Sequence, residues 1–391
     1  MPRPGNAKRA TAAAVGEIPR QVFSPLAHKL AAHPGPLFPL HVGDTWLPPL
    51  EGARMEDLRA ADYPDLHRYA DPRGVPALLD ALVEKLRERN QLVLGREEVL
   101  VTAGATGALA CALGAIVDPG EEVLILAPFW PLIRGIVRTL RGRPVEVPFY
   151  DRVDGPEAAA RAVESRLGER AVALYVSSPS NPTGRVLPES WLAALADLAR
   201  RRDLWLLSDE VYEDYVYRGR HVSPARFAPE RTLSVFSFSK AYGMSGHRVG
   251  YLAGPREVVD EALKVGTHTV YHPPVAGQLA ALAALRQGDA WLARVRALYR
   301  RAGEDAARVL GLPPPEGSCF LFLDVRERLR GRNPLEFLEE CLEDGVVLSP
   351  GSASGEAYDG FVRLCTTSAP PDAVGEAVRR LARRLGRSPG P

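Results

Sequence analysis

Residues 232–254, TLSVFSFSKAYGMSGHRVGYLAG, decide the fold of this chain. Two short runs of aliphatic and aromatic residues, 232–239 and 249–254, flank a loop that contains Lys240 and two glycines. Five similar runs come earlier: EVLV (98–101), EVLILA (122–127), PVEVPF (144–149), AVALYVS (171–177) and LWLLSDE (204–210). Segments with apolar residues at helical spacing separate them, including 104–117, 156–167 and 188–202. This alternation of strands and helices predicts an α/β domain with a mostly parallel sheet.

The pattern changes after residue 275. Long helices are predicted at 275–287 and 289–310, followed by a proline-rich break and then short strands and helices, which indicates a second, smaller α+β domain. We divide the chain into a flexible extension (1–16), a segment that packs with the small domain (17–45), the large domain (46–275), the small domain (276–385) and a flexible tail (386–391).

Composition excludes several classes of protein. The 391 residues are 46% hydrophobic, enough for a large core, and 49 Lys plus Arg against 48 Asp plus Glu leave a net charge of +1. That balance argues against nucleic acid or a membrane as partner and favours a small molecule. The four cysteines are scattered without CxxC spacing, so we expect reduced, structural cysteines and no metal: Cys111, Cys319, Cys341 and Cys365. Neither a membrane-spanning run nor a secretion signal is visible, which predicts a cytoplasmic protein.

The first polar cluster follows the run at 98–101. Gly104, Ala105, Thr106 and Gly107 precede a helical segment, and backbone N–H groups at a helix N-terminus suit a phosphate. A plain turn between strand and helix is the alternative.

Two further strand ends carry polar side chains. Asn181 lies between two prolines after the run at 171–177, where the turn holds its amide rigidly, although an ordinary Asn-Pro turn is the alternative. Asp209 ends a strongly apolar strand, with Tyr212 three residues later. A buried carboxylate requires a cation or donors, so Asp209 is either a ligand for a positive group or a helix N-cap.

Lys240 is the most informative residue of the chain. Burial disfavours the charged form of lysine and leaves a free amine that can act as a nucleophile. Ser237 and Arg248 lie close to it in sequence and could both contact an anion, although an Arg in so Arg-rich a chain is also common at the surface.

These groups converge because the carboxyl ends of parallel strands meet at one edge of a sheet. A phosphorylated pyridine aldehyde would be bound by the groups found above. They are, in chain order, a phosphate cradle, an amide, a carboxylate and an amine. The sequence therefore predicts pyridoxal 5′-phosphate as cofactor.

With these residues in place, the chain resembles the class I aminotransferases among the fold type I pyridoxal-phosphate enzymes. The matching stretches run in family order: HVGDTWLPP (41–49), RYADPRG (68–74), TAGATGAL (102–109), APFWPL (127–132), SSPSNPTGRV (177–186), SDEVYEDY (208–215), SFSKAYGMSGHRVGY (237–251) and FVRLCTTS (361–368). The resemblance implies a large domain with a seven-stranded, mostly parallel sheet and a smaller α+β domain.

The resemblance also implies roles at the cofactor ring. Lys240 forms the Schiff base and moves the proton between Cα and C4′, while Asp209 pairs with the pyridinium nitrogen. Asn181 and Tyr212 hydrogen-bond the ring's O3′, and Trp130 stacks on its face. Lys240, Asp209 and Tyr212 are thus the catalytic residues that the family pattern assigns.

The remaining assignments concern the two anionic groups. The phosphate meets the backbone of Ala105 and Thr106, the side chains of Ser237 and Arg248, and Tyr69 of a neighbouring subunit, which implies a homodimer with shared active sites. The substrate is bound by Arg363, Gly43, Asn181 and Trp46. Arg363 clamps the α-carboxylate. Trp46 with Leu47 forms an apolar lid that suggests an aromatic or aliphatic substrate; a dicarboxylate is the alternative, because no single residue of this Arg-rich chain can be assigned to a distal carboxylate.

The family pattern is broken at His247, where an apolar or aromatic residue is usual, and in RLCTTSAP (363–370). Transamination from an L-amino acid to a 2-oxo acid, in a ping-pong cycle through pyridoxamine phosphate, is the reaction we predict. A carbon–sulfur lyase that performs β-elimination on the same scaffold is the alternative. The effector domain of a transcription regulator is less favoured, because only about 40 residues precede HVGDTW and Lys240 is retained.

Overall fold

The computed structural model describes residues 11–19 and 25–387. We predict flexible ends at residues 1–16 and 386–391. Of these, residues 1–10 and 388–391 lie outside the described residues.

The large sheet contains the seven predicted strands. Their bounds are β1 (Val99–Thr102), β2 (Glu122–Ala127), β3 (Arg143–Pro148), β4 (Ala171–Ser177), β5 (Trp205–Asp209), β6 (Thr232–Ser237) and β7 (Gly250–Ala253). Their spatial order is β1-β7-β6-β5-β4-β2-β3. Strands β6, β5, β4, β2 and β3 pair in parallel, and β7 runs antiparallel to both β1 and β6. The predicted mostly parallel seven-stranded sheet is confirmed.

The helices are α1 (Ala13–Gly16), α2 (Ala27–Leu30), α3 (Pro76–Lys85), α4 (Gly104–Ile116), α5 (Leu132–Thr139), α6 (Pro156–Glu164), α7 (Glu189–Arg201), α8 (Arg256–Thr269), α9 (Val275–Gln287), α10 (Asp289–Val309), α11 (Arg326–Leu329), α12 (Pro334–Glu343) and α13 (Pro371–Arg384). Helices α3 to α9 cover the two faces of the large sheet, which explains why the sequences of its strands are continuous apolar runs. Strand residues alternate between a core shared with α4, α5 and α8 and cores shared with α3 and α9 or with α6 and α7.

A second, antiparallel sheet belongs to the C-terminal part of the chain. It contains β8 (Phe320–Asp324), β9 (Ser349–Pro350) and β10 (Phe361–Cys365) in the order β8-β10-β9. Its core includes side chains from α10, α12 and α13. Leu26 and Leu40 of the N-terminal segment are buried in the same core, and Phe38 forms a parallel bridge with Val346.

The division of the chain at residue 275 stays a prediction. Helix α9 and the first half of α10 contribute to the core that also contains residues of α3, β1 and β6. Between residues 11–19 and 25–387, no helix is long and apolar enough to cross a membrane, and no group of His, Cys, Asp and Glu is arranged to hold a metal ion. All four cysteines are free and buried.

Candidate active site

A cavity of about 240 Å³ lies at the carboxyl ends of the central strands. The strands β1, β4, β5 and β6 end there, and β7 begins there because it runs the opposite way. All predicted site residues except Tyr69 and Trp46 line it: Gly43, Ala105, Thr106, Trp130, Asn181, Asp209, Tyr212, Ser237, Lys240, Arg248 and Arg363. The convergence expected from parallel strand ends is therefore present in the structure.

One end of the cavity is built to hold an anion. Helix α4 begins at Gly104, and the N–H groups of its first turn have no partner within the helix. Arg248 reaches this turn and donates from Nη2 to the carbonyl of Ala103 at 3.2 Å. Gly104 has a φ of +70°, a backbone conformation that favours glycine, and a Cβ there would lie 2.5 Å from the same Nη2. The hydroxyl-bearing residues Ser237 and Ser245 complete this end of the cavity.

Lys240 lies between this anion site and the N-terminal segment. Its Nζ donates a hydrogen bond to the carbonyl of Gly43, and its own carbonyl accepts a 2.5 Å bond from the Tyr215 hydroxyl. A Cβ at Gly43 would lie 2.6 Å from Cζ of Phe320, so the close passage of this segment requires glycine. The amine is thus held within the cavity by backbone contacts.

Asp209 carries the carboxylate at the end of β5 and is 6% exposed. Burial raises its pKa to about 6, although hydrogen bonds from Tyr175 and from the Val211 N–H act in the opposite direction. The Tyr175 hydroxyl donates to Oδ2 at 2.5 Å, and the Val211 N–H lies 3.4 Å from Oδ1. Within the part of the chain that the structure describes, no salt bridge to Asp209 is formed. The fold therefore presents a buried carboxylate that a cationic group would stabilise.

Arg363 also lines the cavity, from β10, and is 1% exposed. Its Nη1 donates to Oδ1 of Asn181 at 3.0 Å, and its Nη2 donates to the His41 carbonyl at 2.8 Å. The Phe320 ring lies 4.5 Å from the guanidinium carbon. Burial lowers the pKa of Arg363 from its ordinary value, which favours an anion beside it. The contact with Asn181 joins the small antiparallel sheet to the turn after β4.

Two aromatic residues form further walls of the cavity. Tyr212 packs edge-on against Phe320 with ring centroids 5.7 Å apart, and burial raises its pKa well above the ordinary value. Trp130 is half-buried and packs against the core that contains Phe129. Both could contact the faces or edges of a flat ring.

Tyr69 and Trp46 lie outside the cavity lining. Tyr69 is 84% exposed and lies against Tyr271, with ring centroids 4.9 Å apart. Trp46 is half-buried and packs against the core that contains residues of α3 and α9, and its backbone N–H donates to the Thr367 carbonyl at 2.8 Å. The predicted lid of Trp46 and Leu47 is thus a packed segment in this structure, and its role toward a substrate stays a prediction.

The residues at the two breaks in the family pattern have specific contacts. His247 is 8% exposed, its Nε2 accepts a 3.3 Å bond from the Met55 N–H, and burial lowers its pKa. Cys365 lies beside Thr367, with Sγ and Oγ1 3.4 Å apart. Burial raises the pKa of the Cys365 thiol, but bonds from Cys319 and Thr367 outweigh it and lower that pKa to about 6.

Sequence reasoning missed several residues that line or support the cavity. Val42, Leu109, Val211, Ser239, Ser245 and Phe320 line it, and Tyr175 contacts Asp209. Ser239 and Ser245 lie within residues 232–254, and their hydroxyls could have indicated a role at the site. Phe320 and Tyr175 lie in apolar strands, where the sequence gives no local signal.

The donor set of the cavity fits pyridoxal 5′-phosphate. The helix N-terminus, hydroxyls and Arg248 suit its phosphate, the Lys240 amine suits its aldehyde, and the Asp209 carboxylate suits a protonated ring nitrogen. Arg363 remains to bind a carboxylate of a second ligand.

Comparison with known proteins agrees with this geometry. Residues 36–381 match the family described as aminotransferase class I and II. The aspartate/prephenate aminotransferase of Thermus thermophilus is 39% identical over 332 residues, which is 82% of this chain and 84% of that protein. The arginine–pyruvate transaminase of Pseudomonas aeruginosa is 33% identical over 344 residues, 85% of each chain. The structure of the aspartate aminotransferase from Thermus thermophilus with maleate superimposes with a TM-score of 0.87 at 34% identity, covering 96% of this chain and 100% of that one.

The fold and site define a pyridoxal-phosphate-dependent enzyme of fold type I. The chain belongs to the class I and II aminotransferases and is a transaminase.

Proposed function

We propose that this enzyme moves an amino group from an L-amino acid to a 2-oxo acid by a ping-pong mechanism through pyridoxamine phosphate. One observation carries the proposal: Lys240, Asp209, the Arg248 anion site and Arg363 line a single cavity of about 240 Å³. An amine, a carboxylate and two anion sites in one small space supply what binding of the cofactor and of an amino acid requires.

Bound pyridoxal phosphate supplies an electron sink for the carbanion that forms at the substrate Cα. The protein's part begins with anchoring. Arg248, Ser237 and the backbone N–H groups of Ala105 and Thr106 bind the phosphate, and Lys240 holds the aldehyde carbon. Asp209 keeps the ring nitrogen protonated, because its buried carboxylate gains a cationic partner there.

Asn181 and Tyr212 are proposed to hydrogen-bond the ring oxygen O3′. Both line the cavity next to Asp209 and Arg363. The Asn181 carbonyl oxygen already accepts from Arg363, so its amide N–H remains available to the cofactor. Trp130 stacks on the ring face.

Arg363 binds the α-carboxylate through its guanidinium, with the backbone of Gly43 nearby. A bidentate pair fixes the orientation of the amino acid, so that the Cα–H bond points toward Lys240. With the cofactor bound, the Lys240 amine would take the proton from the substrate Cα and deliver it to the cofactor carbon C4′, acting first as base and then as acid.

The side chain of the donor is proposed to be aromatic or aliphatic. The cavity wall includes Val42, Leu109, Val211 and Phe320, all apolar. The two relatives described above are named for chemically different substrates, aspartate and prephenate in one case and arginine and pyruvate in the other. Dicarboxylic donors therefore belong in any substrate test.

The active form is proposed to be a homodimer with shared sites. Tyr69 is 84% and Tyr271 42% exposed, and they form an aromatic pair outside the cavity lining, so a contact of Tyr69 with the phosphate would be made in the cavity of a second subunit. Light scattering on the purified holoenzyme measures the assembly, and a monomer at working concentration contradicts this part of the proposal. The cytoplasmic location stays a prediction from the sequence.

The central test is the visible spectrum of the holoenzyme with a panel of amino acids and no 2-oxo acid. We expect loss of the lysine-bound cofactor band and growth of the pyridoxamine phosphate band with the donor. A persistent band with accumulating ammonia and 2-oxo acid indicates the β-elimination lyase instead. The panel includes aromatic, aliphatic, basic and dicarboxylic amino acids, so the same experiment names the donor class.

Lys240→Ala tests the anchor directly. Borohydride reduction followed by denaturation and dialysis leaves cofactor covalently bound to the wild type and none to the variant. Removal of a positioned acid–base group is expected to slow turnover by roughly 10²- to 10⁴-fold. Lys264→Ala, an exposed lysine on α8 paired with Glu261, is the control and retains the covalent label. A labelled Lys240→Ala protein contradicts the proposal.

A further inference from the structure

The carboxylate of Asp209 is held by a tyrosine of the adjacent strand. Tyr175 lies on β4, two residues before Ser177, the cross-strand partner of Asp209. Both side chains therefore point to the same face of the sheet. The Tyr175 hydroxyl donates to Oδ2 of Asp209 at 2.5 Å, and Tyr175 is fully buried. Since a buried hydroxyl requires a partner, this contact is fixed by the packing of the strand.

The two carboxylate oxygens of Asp209 have different hydrogen-bond partners. Among residues 11–19 and 25–387, Tyr175 is the one side chain that donates a hydrogen bond to Asp209. Oδ2 is engaged by this short bond, whereas Oδ1 receives only the 3.4 Å approach of the Val211 N–H. An ionised carboxylate has about four acceptor positions, so Asp209 retains capacity for another donor.

A neutral donor suits this position better than a cation. The pKa of Tyr175 is raised well above its ordinary value, first by burial and then by the charge of Asp209, so the proton stays on the tyrosine. The hydrogen bond stabilises the ionised carboxylate without cancelling its charge. A lysine or arginine here would neutralise Asp209 and weaken its attraction for a second cation.

We propose that Tyr175 is a positioning residue for the cofactor: its hydroxyl keeps Asp209 ionised and oriented, with acceptor capacity left for the protonated ring nitrogen. The proposal rests on the role given to Asp209 under the proposed function. It adds a residue that lies outside the cavity lining and contacts the cofactor only through Asp209.

The chain offers a matched control for a buried tyrosine–carboxylate bond. Tyr358 is 1% exposed, and its hydroxyl donates to Oδ1 of Asp151 at 2.6 Å. Neither Tyr358 nor Asp151 lines the cavity. Tyr358→Phe therefore removes a hydrogen bond from a buried tyrosine to a carboxylate without touching Asp209, although Asp151 itself is exposed.

The experiment compares Tyr175→Phe, Tyr358→Phe and wild type reconstituted with pyridoxal phosphate labelled with ¹⁵N in the ring. For Tyr175→Phe we expect the ¹⁵N resonance to move toward that of a neutral pyridine and the cofactor dissociation constant to rise about tenfold, as for loss of a hydrogen bond to a charged group. The half-reaction with the amino donor slows, while the donor concentration for half-saturation changes little, because Arg363 is untouched. Tyr358→Phe changes none of these quantities by more than about twofold.

Asp209→Asn separates the two proposals. If Asp209→Asn shifts the ¹⁵N resonance and Tyr175→Phe leaves resonance and dissociation constant unchanged, the role of Tyr175 is overturned and that of Asp209 stands. If neither variant shifts the resonance, the proposed role of Asp209 fails as well. Phe conserves the volume of Tyr, but should Tyr175→Phe not fold, Tyr175→Leu removes the same donor and the same criteria apply.

Discussion

Asp209 and Glu210 are consecutive carboxylates at the end of β5, and the protein treats them in opposite ways. Glu210 is completely buried and paired, with Oε2 2.6 Å from His221 Nε2 and Oε1 accepting from the Ser223 hydroxyl at 2.7 Å. Burial alone would raise its pKa, but the bonds and charge of His221 outweigh burial and lower it. Asp209 has a neutral tyrosine as its side-chain donor, and burial raises its pKa to about 6.

The difference separates a structural carboxylate from a functional one. Glu210 receives its charge partner from the chain itself, so its ionised form contributes to folding. Asp209 is left one positive charge short within the described residues, so its ionised form is stabilised only when a ligand brings a cation. Both carboxyls are buried, so the different side-chain partners determine that the pKa of Glu210 is lowered and that of Asp209 is raised.

The largest expected effect concerns Glu210. Glu210→Gln leaves the buried His221 without a counter-charge, and we expect a loss of about 3 kcal/mol in the free energy of unfolding of the cofactor-free protein, measured by urea denaturation. Because the pKa of Glu210 is lowered, its ionised form stabilises the protein above about pH 4.5, and this stabilisation is lost at lower pH. Because the pKa of His221 is raised, its protonated form stabilises the protein below about pH 6.5, and this stabilisation is lost at higher pH. The measurement is therefore made near pH 6.

The control for this loss is the same substitution in an exposed ion pair. Glu339→Gln breaks the contact of Glu339 with Lys29, whose side chains are 39% and 47% exposed, and is expected to change stability by less than about 1 kcal/mol. Equal losses in the two variants would mean that the Glu210–His221 pair does not differ from a surface pair.

Asp209→Asn is expected to raise the free energy of unfolding of the cofactor-free protein, whereas Glu210→Gln lowers it. A carboxyl whose pKa is raised in the folded state loses stability as pH rises from about 3.8 to about 6, because ionisation is then unfavourable in the folded protein. At pH 8, the neutral amide avoids this cost, so cofactor-free Asp209→Asn should be more stable than wild type by roughly 1–3 kcal/mol. The gain disappears near pH 4, and a loss at pH 8 would contradict the contrast with Glu210.

The strand ends were predictable because the sheet is buried on both faces. Such strands give continuous apolar runs, and the polar residues that end them, Asp209 and Lys240 among them, stand out. Their meeting at one edge follows from parallel pairing alone. Arg363 was found through the family resemblance, since nothing in its local sequence indicates that β10 reaches Asn181.

The partners of these residues were not predictable in the same way. Tyr175 lies 34 residues from Asp209 in sequence, and His221 lies 11 residues from Glu210, across loops whose path depends on packing. A tyrosine in an apolar strand looks like core until the neighbouring strand is known. Trp46 is assigned to the cavity from its closeness in sequence to Gly43; it packs against the core that contains residues of α3 and α9 and also Phe320, and its role toward a substrate stays a prediction.

The smallest expected effect is the pH dependence of cofactor affinity. In the cofactor-free protein Asp209 binds a proton below about pH 6, so pairing with the ring nitrogen then requires that proton to leave. The dissociation constant of Asp209→Asn divided by that of wild type should therefore be nearly constant at pH 7–8 and fall by about tenfold between pH 7 and pH 5. Taking the ratio removes the titration of the cofactor phosphate, which is common to both proteins. A ratio that does not change from pH 8 to pH 5 would show that Asp209 is already ionised throughout, and that its environment resembles that of Glu210 after all.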